Sequence, residues 1–206
     1  MRTKLIVFII VMSLGIVSAF GWAGYQLFTT GFSAKVEPHA LEVFIARQVR
    51  HLAIPIEQRH AQNPIPLSPD IIKESLAHFA DHCALCHAND GSGQTPIGKN
   101  VNPKAPDLRL PDIQSMSDGE IFWVIHNGIR FTAMPAWGEG DPAEDKDSWM
   151  LVHFIRHLPQ LTPNELDRMK KLNPKTRKDL EEEAAFGEFL QGNDAAAAKT
   201  DRGHHH

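Results

Sequence analysis

Between Leu5 and Ala34 the chain reads LIVFIIVMSLGIVSAFGWAGYQLFTTGFSA, without one charged side chain. A helix needs about 20 apolar residues to cross a bilayer core, and this run supplies them. Arg2 and Lys4 stand in front of it, which keeps the N-terminus in the cytoplasm and exports the remainder of the chain. Val17-Ser18-Ala19 would serve as the small-x-small cleavage site of a secretory signal. The length of the run, with Trp22 and Tyr25 near its far end, favours a retained anchor.

Beyond the anchor, Leu41, Phe44, Ile45, Val49 and Leu52 recur at helical spacing within 36–53, with Arg47 and Arg50 turned elsewhere. Such a helix lies on a membrane surface, packs on a partner subunit, or docks on its own domain; the pattern leaves all three open. Prolines 55, 64, 66 and 69 then predict an extended linker. Ser68-Pro69-Asp70 supplies a cap, a first-turn proline and an acid for a helix start. Ile72, Leu76, Phe79 and Cys83 mark the buried face of that helix. Residues 88–116 are punctuated by Gly and Pro and predict a long loop, which in a compact domain is usually functional.

Ser117 and Glu120 form a capping box. It opens a helix through Ile121, Phe122, Val124 and Ile125, stopped at Asn127-Gly128. A closing helix, DSWMLVHFIRHL, runs to Pro159 with Trp149, Met150, Val152, Phe154 and Ile155 available for burial. Short helices at 163–171 and 178–190 are expected in a polar tail. Nowhere does the pattern alternate with the period of a strand, so the fold class is all-α. The expected organisation is an anchor over 1–32, an amphipathic helix and Pro-rich linker over 33–68, a compact domain over 69–163, and a tail over 164–206. His204–His206 read as a tag remnant rather than a metal-binding tract.

Charge changes this picture little. The 206 residues carry a net charge of −4, unevenly placed: +3 over 1–68, −6 over 69–163 and −1 over 164–206. Neither the net charge nor the pI of about 6.3 suggests a nucleic-acid binder. An acidic domain suits basic or neutral partners over the roughly 8 Å reach of its field. Acidic residues serve solubility equally well.

The chemistry concentrates in HFADHCALCHANDG, residues 78–91, which holds the chain's only two cysteines. A redox dithiol needs its pair at the start of a helix beside a sheet, and Cys83 and Cys86 stand at the end of a helix in an all-α domain. A zinc site would draw on Cys83, Cys86 and His87, with His82 or His126 as a fourth ligand. Adjacent Cys86 and His87 are poorly placed to reach one tetrahedral ion. A Cys83–Cys86 disulfide suits an exported protein but leaves His87 without a role.

C-x-x-C-H as a c-type haem attachment accounts for all three. Two thiols add to the porphyrin vinyl groups, and the following histidine faces the iron. The exported N-terminus meets the requirement that bacterial attachment occurs outside the cytoplasm. A sixth ligand is also needed, and HNGIRFTAMPAWG, residues 126–138, offers Met134 in a turn set by Pro135. Axial Met with His suits an electron carrier and raises its potential. Met116 is the reserve candidate. Met12 lies in the anchor, Met150 in a helix and Met169 beyond the expected domain.

At these residues the chain resembles class I monohaem cytochrome c of the membrane-anchored bacterial type. The likeness covers about 69–160: the helix ending in CALCH, the loop ANDGSGQ, the stretch KAPDL, the segment GIRFTAMPAW and the closing helix. It implies one covalent haem c in a class I fold, with Cys83 and Cys86 as thioether positions, His87 as proximal ligand and Met134 as distal ligand. It also implies that a proline carbonyl, of Pro96 or Pro106, receives the proximal imidazole's proton. The first and last helices are expected to cross at Ala77 or Ala80 against Phe154 or Trp149. Phe122, Ile125, Phe131, Trp137 and Trp149 are expected to line the pocket, and His126, His153 and His157 to be surface or capping residues.

The functional expectation is outer-sphere electron transfer, not enzymatic catalysis. Redox proteins at the membrane would be its partners, with no nucleic acid and no small-molecule substrate. The place implied is the cytoplasmic membrane, single-pass, with the haem domain in the periplasm or its equivalent. Two alternatives stand beside the free carrier: a haem subunit of a membrane dehydrogenase or terminal reductase, and a haem sensor or enzyme with a displaceable methionine. No Ser/His/Asp constellation, phosphate loop or paired acid site suggests a hydrolase.

Overall fold

The structure is a computed structural model that describes residues 2–31 and 33–190, so His204–His206 lie outside the described residues. Among those residues every regular element is helical. Helix α1, Arg2–Thr30, is long and apolar enough to cross a membrane, and none of its most apolar window is buried against protein.

Helix α2, Ala40–Ala53, begins one turn later than the sequence suggested, because the His39 ring accepts from the Leu41 amide and caps it. Its orientation is the surprise. Leu41, Phe44, Ile45, Val49 and Leu52 all face outward, between 50 % and 70 % exposed. The polar side faces the domain instead: Arg47 pairs with Asp112 at 2.5 Å and His51 lies 2.7 Å from Glu120. Burial lowers the Arg50 guanidinium pKa, and neighbouring Arg47 adds to that, against the opposing charges of Asp112 and Glu120.

The proline-rich segment behind α2 runs along the domain surface. It opens with a one-turn helix, α3, Ile56–Arg59, and buries Ile54. Arg59 donates to the Ile54 and Leu52 carbonyls, Asn63 donates to the Trp149 carbonyl at 2.9 Å, and His153 Nε2 meets the Ile65 carbonyl at 2.7 Å. Side chain-to-backbone bonds of this kind depend on tertiary placement, which is why composition alone suggested an extended spacer.

Helix α4, Pro69–His78, starts as the sequence dictates, with Ser68 accepting from the Ile71 amide and Pro69 in the first turn. It crosses α8, Lys146–His157, in the most extensive helix–helix contact of the molecule. Leu76, Phe79, Ala80, Val152 and Phe154 are fully buried there, and the Phe79 and Phe154 rings sit 5.0 Å apart. Of the two small residues expected at the crossing, Ala80 is buried and Ala77 half-buried.

A π-helical turn, Phe79–Cys83, comes after α4 and leads into α5, Ala84–His87. The long loop holds a single helical turn, α6, Pro111–Gln114. Helix α7, Asp118–Asn127, carries both halves of the Ser117–Glu120 capping box. From α8, Arg156 reaches back to Asp118 and to the Gln114 and Met116 carbonyls, fixing the end of the loop.

Helices α9, Pro163–Leu172, and α10, Arg177–Leu190, stand where the tail's pattern placed them. Helix α9 is part of the core, however. Met169, expected to lie beyond the domain, is fully buried, and the His157–Glu165 contact at 2.8 Å draws α9 onto α8. Met169 is the one buried residue of α9, and a single apolar residue among charges does not mark a helix as part of the core.

Candidate haem site

The segment that carries the candidate ligands owes its geometry to the π-turn. The Ala84 amide bonds to the Phe79 carbonyl, five residues back, where an α-helix would use four. One extra residue per turn re-aims the side chains after Phe79, and such bulges recur at functional sites. Cys83 closes the π-turn, and Cys86 and His87 follow in α5. Ala88 then takes a φ of 61°, a left-handed value that turns the chain away from α5. The carbonyls that α5 leaves open are met by the loop: Thr95 Oγ1 donates to Cys86 and the Gly93 amide to His87, at 3.2 and 2.8 Å. Gly98 lies so close to the Cys86 carbonyl that a Cβ would collide with it. The loop is a fitted cradle around the motif.

Both cysteines are free. Burial first, and Cys86 second, push the Cys83 thiol up to about 12, so it is not a thiolate of the redox-active kind. Among the described residues no three His, Cys, Asp or Glu side chains gather to hold a metal ion, which removes the zinc arrangement. His87 is half-buried, and burial holds its imidazole below the usual histidine range, favouring the neutral ring. Its Nδ1 is sealed from water without a well-formed hydrogen bond. The backbone group that acts on it is that of Pro106, which has only a carbonyl to offer. Of the two prolines implied by the resemblance, Pro106 is the one beside the ring.

Met134, half-buried, sits in a loop closed on itself. The Ile129 amide donates to the Met134 carbonyl at 3.1 Å, and Thr132 Oγ1 donates to Ile129 while accepting from the Met134 amide at 3.0 Å. Past the loop, the Trp137 and Gly138 amides return to the Ile125 and His126 carbonyls of α7 at 3.1 and 3.0 Å. Gly128 makes the return possible: its φ is 66°, and a Cβ there would press on the backbone of residues 134–136. His82 meets Trp137 edge-on at 5.4 Å, which joins the turn before Cys83 to the segment after Met134. Met116, the reserve, packs half-buried against the core.

Three expectations change. Phe131 does not line a pocket; at a φ of 63° it projects into solvent, 93 % exposed, with Arg130 over its ring. Phe122 and Trp149 stack on each other at 4.1 Å within the core, Ile125 is buried beside them, and Trp137 is half-buried. His126 is a buried residue, not a surface one. Its Nδ1 lies 2.6 Å from Asp145, the N-cap of α8, and its ring stacks on Phe122. Sequence reasoning missed this pair because 19 residues separate its members. The capping position of Asp145, ahead of Ser148, was the available signal.

The free thiols, the half-buried imidazole with its sealed Nδ1, and the cradle of close backbone contacts all fit a covalently attached haem.

Residues 72–155 match the model of the family described as cytochrome C oxidase, cbb3-type, subunit III. No curated protein matches the chain. The matched stretch begins in α4 and ends in α8, leaving α1–α3, α9 and α10 outside. It is a cytochrome c domain of the class I kind, an electron carrier with covalently bound haem c and its iron.

Proposed function

We propose that this cytochrome c domain serves a one-electron carrier tethered by α1 to the outer face of the cytoplasmic membrane. Cys83 and Cys86 would hold the haem, with His87 and Met134 as its axial ligands. The observation that carries the reading is the half-buried His87 ring, with Nδ1 sealed from water and the Pro106 carbonyl beside the ring. A proton kept on Nδ1 leaves Nε2 as the electron-pair donor, and a carbonyl partner makes that nitrogen more basic.

When bound, the haem would supply an iron able to take up and give up one electron, held by Cys83, Cys86, His87 and Met134. The chain's residues supply the rest. The π-turn and loop fix the thioether positions and the His87 ring. Hydrogen bonds within 129–134, and from 137–138 to α7, hold Met134 in place and limit rearrangement when charge changes. Phe122, Trp149 and Ile125 keep the interior dry. The tether replaces affinity with effective concentration near membrane partners.

The test is an absorption spectrum of the purified, reduced protein beside its Met134→Ala variant. A haem that stays on the protein in acidified organic solvent is expected, with the low-spin methionine-ligated signature lost and the potential lowered in the variant. Colourless protein, extractable pigment or an unchanged variant spectrum would overturn the reading. Rapid, tight carbon monoxide binding to the ferrous form would point instead to a sensor or enzyme.

The description of the matched family names an oxidase subunit, which favours a second reading as a haem subunit of a terminal reductase. Purification from native membranes separates the two. A subunit arrives with stoichiometric partners, and a free carrier arrives alone.

A further inference from the structure

We infer that α2 lies flat on the membrane that α1 crosses, its apolar stripe seated at the boundary between lipid headgroups and acyl chains. The inference rests on the proposed tether and adds an orientation to it. The stripe of Leu41, Phe44, Ile45, Val49 and Leu52 faces away from the domain, and no residue of α2 is buried. A helix free to choose would turn such a stripe toward its own protein. This one is held the other way by Arg47 on Asp112 and His51 on Glu120, while Glu37, just before the helix, pairs with Lys104 of the loop. Large apolar side chains left contiguous on a surface mark an interaction site.

Chain continuity identifies the occupant. Helix α1 ends at Thr30 and α2 starts at Ala40, so nine residues join them. Fully extended, nine residues reach about 30 Å. The lipid surface is therefore available to α2 without any association step. A helix of this character settles in the interfacial plane. The cations of α2 are turned into the acidic domain and so are withheld from anionic headgroups. The seating is therefore apolar and indifferent to salt and to lipid charge.

The test uses the full-length haem-loaded protein in nanodiscs, with spin labels on single cysteines introduced by Ile45→Cys, Val49→Cys, Ile10→Cys and Glu182→Cys. All four parent side chains are exposed, so each variant folds. Oxygen and a water-soluble nickel chelate report depth. Labels at 45 and 49 should read about 5–10 Å below the lipid phosphates, with the label at 182 in water. The depth should be the same at low and high salt and in neutral and anionic lipid. If residue 10 reads the acyl core while 45 and 49 read water, the tether stands and this inference falls. Labels at 45 and 49 shielded from both probes would show a protein cover, a partner subunit or a second copy, and would also overturn it. Depth lost at high salt would refute apolar seating. A label at 10 outside the acyl core would sink the tether, and this inference with it.

Discussion

Gly128 decides whether Met134 can stand where it does. Its φ of 66° belongs to glycine, and the backbone of residues 134–136 occupies the space a side chain would take. Gly128→Ala should cost about 1–3 kcal/mol in chemical denaturation. It should also weaken the methionine-ligated spectrum expected under the proposed function before the fold is lost. Asp145 sets a second expectation. Burial works against its charge, but bonds from Ser148 and His126 outweigh burial and hold its carboxyl below the ordinary range. A carboxylate with a depressed folded pKa contributes stability that is complete above the unfolded value of 3.8 and fades as pH falls below it. Urea midpoints measured from neutral pH down through that value should therefore decline. In Asp145→Asn the part of the decline due to this carboxylate should be missing, from a lower starting stability.

The elements show which signals a sequence carries and which it hides. Short-range chemistry was legible: the Ser68 and Ser117 caps, the stop at Gly128, the CALCH motif and the apolar α1 all depend on neighbours within a few residues. The π-turn at Phe79–Cys83 was not, because Ile72, Leu76, Phe79 and Cys83 fit an uninterrupted α-helical face and the extra residue arises from packing. The inverted seating of α2 was hidden for a related reason. The apolar stripe was evident, but Asp112 and Glu120, which hold the opposite face, lie more than 60 residues away in sequence. Phe131 misled because an aromatic beside a candidate ligand suggests a pocket wall, whereas its backbone turns it outward. Helix α9 tests the role of long-range packing. Met169→Ala should destabilise the haem domain by about 2–5 kcal/mol, the cost of emptying a filled core site. Leu180→Ala, on exposed α10, should leave the denaturation midpoint unchanged.

For the whole molecule, the acidic stretch of 69–163 governs encounters. Its net −6 favours cationic redox partners, and the attraction operates over about 8 Å at physiological ionic strength. Stopped-flow reduction by a small basic redox protein should therefore slow as salt rises. An acidic redox protein of similar potential should show the opposite trend. Salt acts at a second place. Arg47 and Asp112, which clip α2 to the domain, are each about half exposed, at 54 % and 51 %. Exposed ion pairs hold weakly and are screened readily. The clip between α2 and the globular body is therefore sensitive to salt. On the proposed seating of α2, brine would leave the body free to tilt about the buried Ile54. Under the proposed function, ionic strength would in this way set how high above the bilayer an electron changes hands.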